Sequence, residues 1–350
     1  MNKIRVVVVD DSFFMRQVIS DILNADTGLE VVGKASDGIK ALQVIEEVHP
    51  DVVSLDLEMP HMDGLATLMQ LMTMPNPPKV VMVSSYTKED AEVTFQCLDA
   101  GAVDFVLKPS GSISLDMHQV AEELREKIKA AINVRVTRPI QAIQQKVDVI
   151  LHRKRLKERG IVVIGSSTGG PPALESILPL FPENFPLPVV VAQHLPANFT
   201  RTFANRISKS CLLTIKEAEP GETVKPGVIL IAPGGFYSEL VPNESNTQLV
   251  SFHVYETGLA KALTPSVDKL MLSTVRLFGD ATIGIILTGM GEDGLYGMQI
   301  IKETNGITIV QNEETSAVYG MGRAVVEHGY ADHVIPLMDI PAKVMEVIYG

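Results

Sequence analysis

Gly165-Ser166-Ser167-Thr168-Gly169 follows the apolar run Ile161–Ile164 and leads into Gly170-Pro171. This is the G-x-S-x-G pattern, whose glycines permit a sharp strand-to-helix turn that lifts the central hydroxyl, here Ser167, off a sheet. The N-terminus of the following helix would aim N–H groups at any anion formed there. A serine hydroxyl becomes a nucleophile only beside a base, and the base needs an orienting group. The next apolar run, Val189–Ala192, delivers Gln193-His194. A later one, Ile283–Leu287, ends in Thr288-Gly289-Met290-Gly291-Glu292-Asp293-Gly294. Serine, histidine and a carboxylate, each just past a strand, predict acyl-transfer chemistry. Ser166 competes with Ser167 as nucleophile, although the motif register favours Ser167, and Glu292 competes with Asp293 as the acid. The chain order Ser, His, acid differs from the Ser, acid, His order of α/β-hydrolases, so that topology is not expected. A dinucleotide site is disfavoured because the G-x-G-x-x-G spacing is absent.

A second constellation precedes it. Asp10-Asp11 end one apolar run, Asp56 another, Ser84-Ser85 a third and Lys108-Pro109 a fourth. Carboxylates crowded together repel unless a cation lies among them, and an oxygen-only set suits Mg²⁺. Asp11, Asp56 and the backbone carbonyl of Glu58 would hold the ion, with Asp10 joining through water. A carboxylate beside Mg²⁺ can accept a phosphoryl group. Asp56 would be that acceptor, Lys108 would pair with phosphoryl oxygens, and Ser84 would hydrogen-bond one of them. Capping of helices and turns is the plainer reading for any single aspartate. The full set at matching strand ends favours the phosphoacceptor.

The elements that must position these groups alternate. Ile4–Val9, Val31–Ala35, Val52–Leu55, Val80–Val83 and Phe105–Leu107 read as strands. Segments 13–23, 38–48, 65–72, 90–98 and 117–132 carry apolar residues three and four apart and read as helices. Five βα repeats predict a parallel sheet covered on both faces. The alternation restarts at Ile161, with further strands predicted at 189–192, 228–231, 283–287 and 308–310, and a hairpin or excursion around 248–255. The expected fold is therefore α/β: a flavodoxin-like (βα)5 domain over 1–132, a linker over 133–158 and a second doubly wound, mostly parallel domain over 159–350. Within the linker, Ile140, Ile143, Val147 and Leu151 keep helical spacing, and Arg153-Lys154-Arg155 reads as a solvated basic face.

Composition bounds the function. Of 350 residues, 46% are hydrophobic, enough for two sizeable cores, and the net charge is −12. Such an acidic chain is not expected to bind nucleic acid, which needs clustered Lys and Arg. The two cysteines, Cys97 and Cys211, lie in no metal or redox spacing. No apolar signal segment and no run long enough to span a bilayer is read, so a cytoplasmic protein without membrane insertion is expected.

The motifs resemble two known families. Val8-Val9-Asp10-Asp11-Ser12, Leu55-Asp56-Leu57-Glu58-Met59-Pro60, Ser84-Ser85 and Asp104-Phe105-Val106-Leu107-Lys108-Pro109 are similar to response-regulator receiver domains over about residues 1–125. That likeness implies a sensor histidine kinase as phosphoryl donor and Phe105 at the aromatic switch position. The second half resembles the chemotaxis protein-glutamate methylesterase family, CheB, from about 159 to 345. The matching stretches are 165–170, 193–196, 199–201, 232–235, 265–268 and 288–294. This resemblance implies Ser167 as nucleophile, His194 as base and Asp293 as acid, with the N–H groups of Thr168 and Met290 as oxyanion donors. It implies methyl-accepting chemoreceptors as substrates, receptor glutamine deamidation, no cofactor for the esterase step, a monomer, and a receiver that blocks the catalytic cleft until phosphorylated. The competing expectations are a second domain that only binds partners, and a related hydrolase acting on another protein. A transcription factor is disfavoured for want of a helix-turn-helix pattern.

Overall fold

The computed structural model describes residues 3–85, 87–108, 115–132, 134, 160–243, 246, 249–256 and 264–350. The linker reading, including its helical spacing and its basic run, lies outside these residues apart from Val134. The chain forms two compact units, Met1–Arg138 and Pro139–Gly350.

The first unit alternates strands β1 (Ile4–Val9), β2 (Leu29–Ala35), β3 (Val52–Asp56), β4 (Lys79–Ser84) and β5 (Asp104–Leu107) with helices α1 (Phe13–Asn24), α2 (Gly38–Val48), α3 (Gly64–Leu71), α4 (Lys88–Ala100) and α5 (Leu115–Ala131). The strands pair in the order β2-β1-β3-β4-β5, every pair parallel. This is the flavodoxin-like order, whose switch point lies between β1 and β3. Val6 to Val9 and Val52 to Leu55 are fully buried because helices cover both faces of the sheet. Each such side chain contributes about 1.5–3 kcal/mol on burial. Side-chain oxygens of Ser12, Asp37, Asp63 and Thr87 accept N–H bonds that start α1 to α4.

The second unit carries strands β6 (Ile161–Ser166), β7 (Val189–Gln193), β8 (Thr214–Glu217), β9 (Thr223–Val224), β10 (Val228–Ile231), β11 (Tyr237–Pro242), β12 (Val250–Tyr255), β13 (Thr282–Ile286), β14 (Ile307–Gln311) and β15 (His333–Ile335). Its helices are α6 (Gly170–Ile177), α7 (Phe199–Ile207), α8 (Val267–Phe278), α9 (Leu295–Glu303), α10 (Met321–Glu327) and α11 (Ile340–Tyr349). Seven strands form one parallel sheet in the order β15-β14-β13-β6-β7-β10-β8. The excursion expected around 248–255 is a three-stranded antiparallel sheet, β11-β12-β9, backed by α8. Four strands were not anticipated: β8, β9, β11 and β15. In this sheet β13, β6 and β7 are consecutive. Their carboxyl ends are therefore side by side, and these are the ends that carry Asp293, Ser167 and His194.

Candidate functional site

At the end of β6 the chain turns through Ser166 and Ser167 into α6, with Gly169 at φ 74° in the left-handed region that glycine tolerates. The two serines face different surroundings. Ser166 is fully buried, and its hydroxyl donates to Gln193 Oε1 at 2.6 Å. Gln193 Nε2 donates in turn to the carbonyls of Ser167 and His194, at 2.9 and 3.0 Å. One glutamine thus ties the β6 turn to the β7 turn. Gly170 makes room for it, since a Cβ there would lie 1.9 Å from Gln193 Oε1.

Ser167 Oγ instead meets His194 Nδ1 at 3.1 Å, and His194 Nε2 meets Asp293 Oδ2 at 2.8 Å. The structure brings these three residues together and leaves Glu292 exposed beside them. A carboxylate accepts only, so Nε2 carries the proton and Nδ1 offers its lone pair to the serine hydroxyl. In the serine-protease arrangement Nε2 faces the serine and Nδ1 the acid. Here the ring is used the other way round.

Asp293 is held by the start of α8. Its Oδ2 accepts from Val267 N at 2.8 Å, and its Oδ1 accepts from Asp268 N at 3.0 Å and Ser266 Oγ at 3.3 Å. Burial alone would raise its pKa. The bond and charge of His194, with the two backbone N–H groups, outweigh burial and hold the carboxyl below its ordinary value.

Around the serine, Ser167 N donates to Thr288 O at 3.1 Å, so that N–H is already used. The N–H groups of Thr168 and Met290 have no protein acceptor among the described residues. Thr288 braces this rim: its hydroxyl donates to Thr168 O at 3.0 Å and accepts from Val318 N at 2.9 Å, while its N–H donates to Gln311 Oε1 at 2.8 Å. Gln193, Thr288 and Gln311 had no assigned role in the sequence. Their signal was only that polar residues end strands that are otherwise apolar. Gly289 closes the rim, because a Cβ there would lie 2.9 Å from Ser167 Cβ and 2.2 Å from Met321 Sδ. Gly289→Ala is expected to displace the serine, cost about 1–3 kcal/mol through overpacking and slow attack by the Ser167 hydroxyl. Thermal melts and rates of fluorophosphonate labelling on the purified variant would check both.

In the first unit, Asp10, Asp56 and Lys108 are buried or half-buried, while Asp11 is exposed at the rim. One carboxylate oxygen from each of Asp10, Asp11 and Asp56 lies within 4.8 Å of the others. Lys108 Nζ contacts Asp56 Oδ2 at 2.7 Å and Asp10 Oδ2 at 3.1 Å. Burial pushes the Asp56 carboxyl up to about 6, against the pull of Lys108. Three carboxylates against one ammonium leave negative charge to be met, and the all-oxygen donor set fits Mg²⁺. Glu58 follows in the same turn, its N–H donating to Asp56 Oδ1 at 3.4 Å. Ser84 is buried at the end of β4; its hydroxyl accepts from Thr94 Oγ1 at 3.0 Å and donates to Ser85 O at 3.3 Å. Phe105 is 3% exposed, with Lys127 Nζ 5.4 Å from its ring centroid and 2.7 Å from its carbonyl. The structure thus gathers Asp10, Asp11, Asp56 and Lys108, and it keeps Ser84 and Phe105 engaged with partners of their own. No helix among the described residues is long and apolar enough to cross a membrane.

Comparison with known proteins follows this division. Residues 162–344 match the family described as CheB methylesterase, and residues 6–119 match the response regulator receiver domain. A protein-glutamate methylesterase/protein-glutamine glutaminase of Thermotoga maritima is 44% identical over 345 residues, covering 99% of this chain and 98% of that protein. A protein of the same name from Pyrococcus abyssi is 40% identical, covering 99% of this chain and 94% of the other. The crystal structure of the Thermotoga maritima CheB methylesterase catalytic domain aligns with 54% of this chain and 99% of that chain, at 43% identity and a TM-score of 0.52.

Proposed function

The chain belongs to the CheB methylesterase family and carries a response regulator receiver domain, and from that membership we propose which of its groups perform and control the reaction. It is a protein-glutamate methylesterase and protein-glutamine glutaminase of chemotactic adaptation. Its substrates are chemoreceptors, and its phosphoryl donor is a kinase.

Ser167 Oγ attacks the ester carbonyl carbon of a methylated glutamate as His194 Nδ1 takes the hydroxyl proton. The imidazolium keeps its second proton on Nε2, where Asp293 steadies it. The N–H groups of Thr168 and Met290 receive the oxyanion, each such donor being worth about 10²–10³ in rate. Collapse of the tetrahedral intermediate breaks the carbon–methoxy bond, and Nδ1 returns its proton to the leaving oxygen as methanol departs. Water then attacks the acyl-serine by the same route, releasing glutamate. With a glutamine amide the leaving group is ammonia. The observation that carries this reading is the continuous chain from Ser167 through both ring nitrogens of His194 to Asp293, at 3.1 and 2.8 Å. The test is incubation with methyl-labelled receptor membranes, scored as volatile methanol, together with mapping of a fluorophosphonate adduct. Labelling of any serine other than Ser167 would refute it.

In the receiver domain, Asp56 is the phosphoryl acceptor and Lys108 pairs with the phosphoryl oxygens. Asp11, Asp56 and the carbonyl of Glu58 would hold Mg²⁺, with Asp10 through water. Bound there, the ion would neutralise charge on the transferring group. Ser84 and Phe105 relay the change to the rest of the domain. A small phosphodonor with Mg²⁺ is expected to raise the esterase rate of the wild-type chain, and Asp56→Asn is expected to abolish that stimulation while keeping the basal rate. Equal stimulation of Asp56→Asn would reject the assignment.

A further inference from the structure

The loop that carries Asp293 leads directly into α9, whose N-cap is Gly294, a glycine at φ 103°. Asp293 does not cap its own helix. Its carboxylate accepts from the N–H groups of Val267 and Asp268, at the start of α8. The favour is returned. Asp268, in the first turn of α8, places Oδ1 on the start of α9, accepting from Gly294 N at 3.0 Å and Gly297 N at 2.7 Å. Each aspartate therefore caps the helix that the other leads. The two helices approach closely beneath this crossing: a Cβ on Gly297 would lie 2.5 Å from Met271 Cβ, and one on Gly294 would lie 2.9 Å from Val267 Cγ1.

Building on the triad reading above, we propose that Asp268 is a positioning residue for hydrolysis. By pinning the first turn of α9 it fixes Gly294 and hence the preceding Asp293, whose Oδ2 must reach both His194 Nε2 and Val267 N. A simple cap would be content with any acceptor at the start of α9. This one also brings a second carboxylate up to the catalytic one, and each carboxylate is matched by N–H groups at the positive end of the opposite helix. Burial, with the charge of Asp293, pushes the Asp268 carboxyl up to about 6 despite its backbone donors. Among the described residues the charged groups around it are few. Asp293 faces it from the loop before α9, His194 lies behind Asp293 on the loop after β7, and Lys269 on its own helix directs its ammonium over the Tyr237 ring at 4.6 Å.

The test uses the full chain, a phosphodonor with Mg²⁺ and methyl-labelled receptor membranes. Rates are expressed per active site titrated with fluorophosphonate, so that partial misfolding of a variant does not enter. Asp268→Asn keeps the shape and removes the charge, whereas Asp268→Ala removes the acceptor too. By analogy with groups that orient metal-bound histidines, kcat is expected to fall about 10–100-fold in both, with KM nearly unchanged. A group that only capped α9 would leave kcat per titrated site unchanged, so a fall in kcat without a rise in KM is the readout that a purely structural role would not move. A lowered melting temperature with unchanged kcat per titrated site would reduce Asp268 to a helix cap and overturn the proposal. Ser167→Ala separates the two levels. If that variant still labels and turns over, the triad reading fails and this one with it. If it is dead while Asp268→Asn is normal, only the role of Asp268 falls.

Discussion

Ser167→Ala should reduce methanol release from methylated receptors by at least about 10⁴-fold, the scale on which serine hydrolases lose rate when the nucleophile is removed. The melting temperature should barely change. The Ser167 hydroxyl holds no part of the fold together; its partner is the lone pair of His194 Nδ1. Ser166→Ala makes the sharper contrast, because the two serines are adjacent and only geometry distinguishes them. The Ser166 hydroxyl is sealed from solvent and donates to Gln193 Oε1. Its loss strands a buried acceptor, at about 1–3 kcal/mol of stability, but leaves an attacking group in place. Ser166→Ala should therefore melt earlier while still forming the fluorophosphonate adduct at residue 167. If Ser166→Ala abolished labelling and Ser167→Ala did not, the nucleophile would be the other serine. That outcome would require Ser166 to leave Gln193 and turn outward, against the packing of both turns.

Much of this was legible in the sequence because a parallel sheet sends every strand's carboxyl end to one side. Given a βα alternation, Ser167, His194 and Asp293 had to share a rim, as did Asp10, Asp56 and Lys108. Which strands adjoin was not legible. Between β7 and β13 lie nearly ninety residues, including the whole antiparallel excursion, and nothing local says that β13 returns to the far side of β6. The strands that were not anticipated have physical reasons for being weak signals. Thr214–Glu217 is an edge strand of mixed polarity, and His333–Ile335 has only three residues, bounded by Asp332 and by Pro336, which cannot donate to a ladder. Tyr237–Pro242 alternates buried and half-exposed residues and terminates in proline, which weakens the pattern of a strand interior. The polar bracing around the serine was likewise hidden. Gln193, Thr288 and Gln311 act across separations of 23 to 30 residues or more, which only the assembled sheet brings together. The orientation of the His194 ring belongs to the same class: spacing selects the residue, but the choice of nitrogen is made by where α8 holds Asp293.

That choice makes Asp293→Asn the second large expected effect, a fall in kcat of about 10⁴-fold, as for the equivalent acid in other Ser-His-Asp enzymes. The reason here is specific. Oδ2 of Asp293 accepts from both His194 Nε2 and Val267 N, and Oδ1 accepts from Asp268 N and Ser266 Oγ. An aspartate satisfies all four because it has no donor. An asparagine must put its NH₂ in one of the two places. In the place of Oδ2 the amide opposes the Val267 N–H and demands a lone pair from His194 Nε2. The ring proton then moves to Nδ1 and points at Ser167, so the base is lost. In the place of Oδ1 the amide opposes the Asp268 N–H and loosens the grip of α8 on the loop. In either pose the negative charge that stabilises the imidazolium is gone. Glu292→Gln is the control, since Glu292 is exposed next door and should tolerate the change with little loss of rate. The measurement is kcat for both variants on the same receptor membranes, with folded protein verified by thermal melt. Equal losses, or a larger loss for Glu292→Gln, would mean that His194 takes its orientation from a different carboxylate in solution.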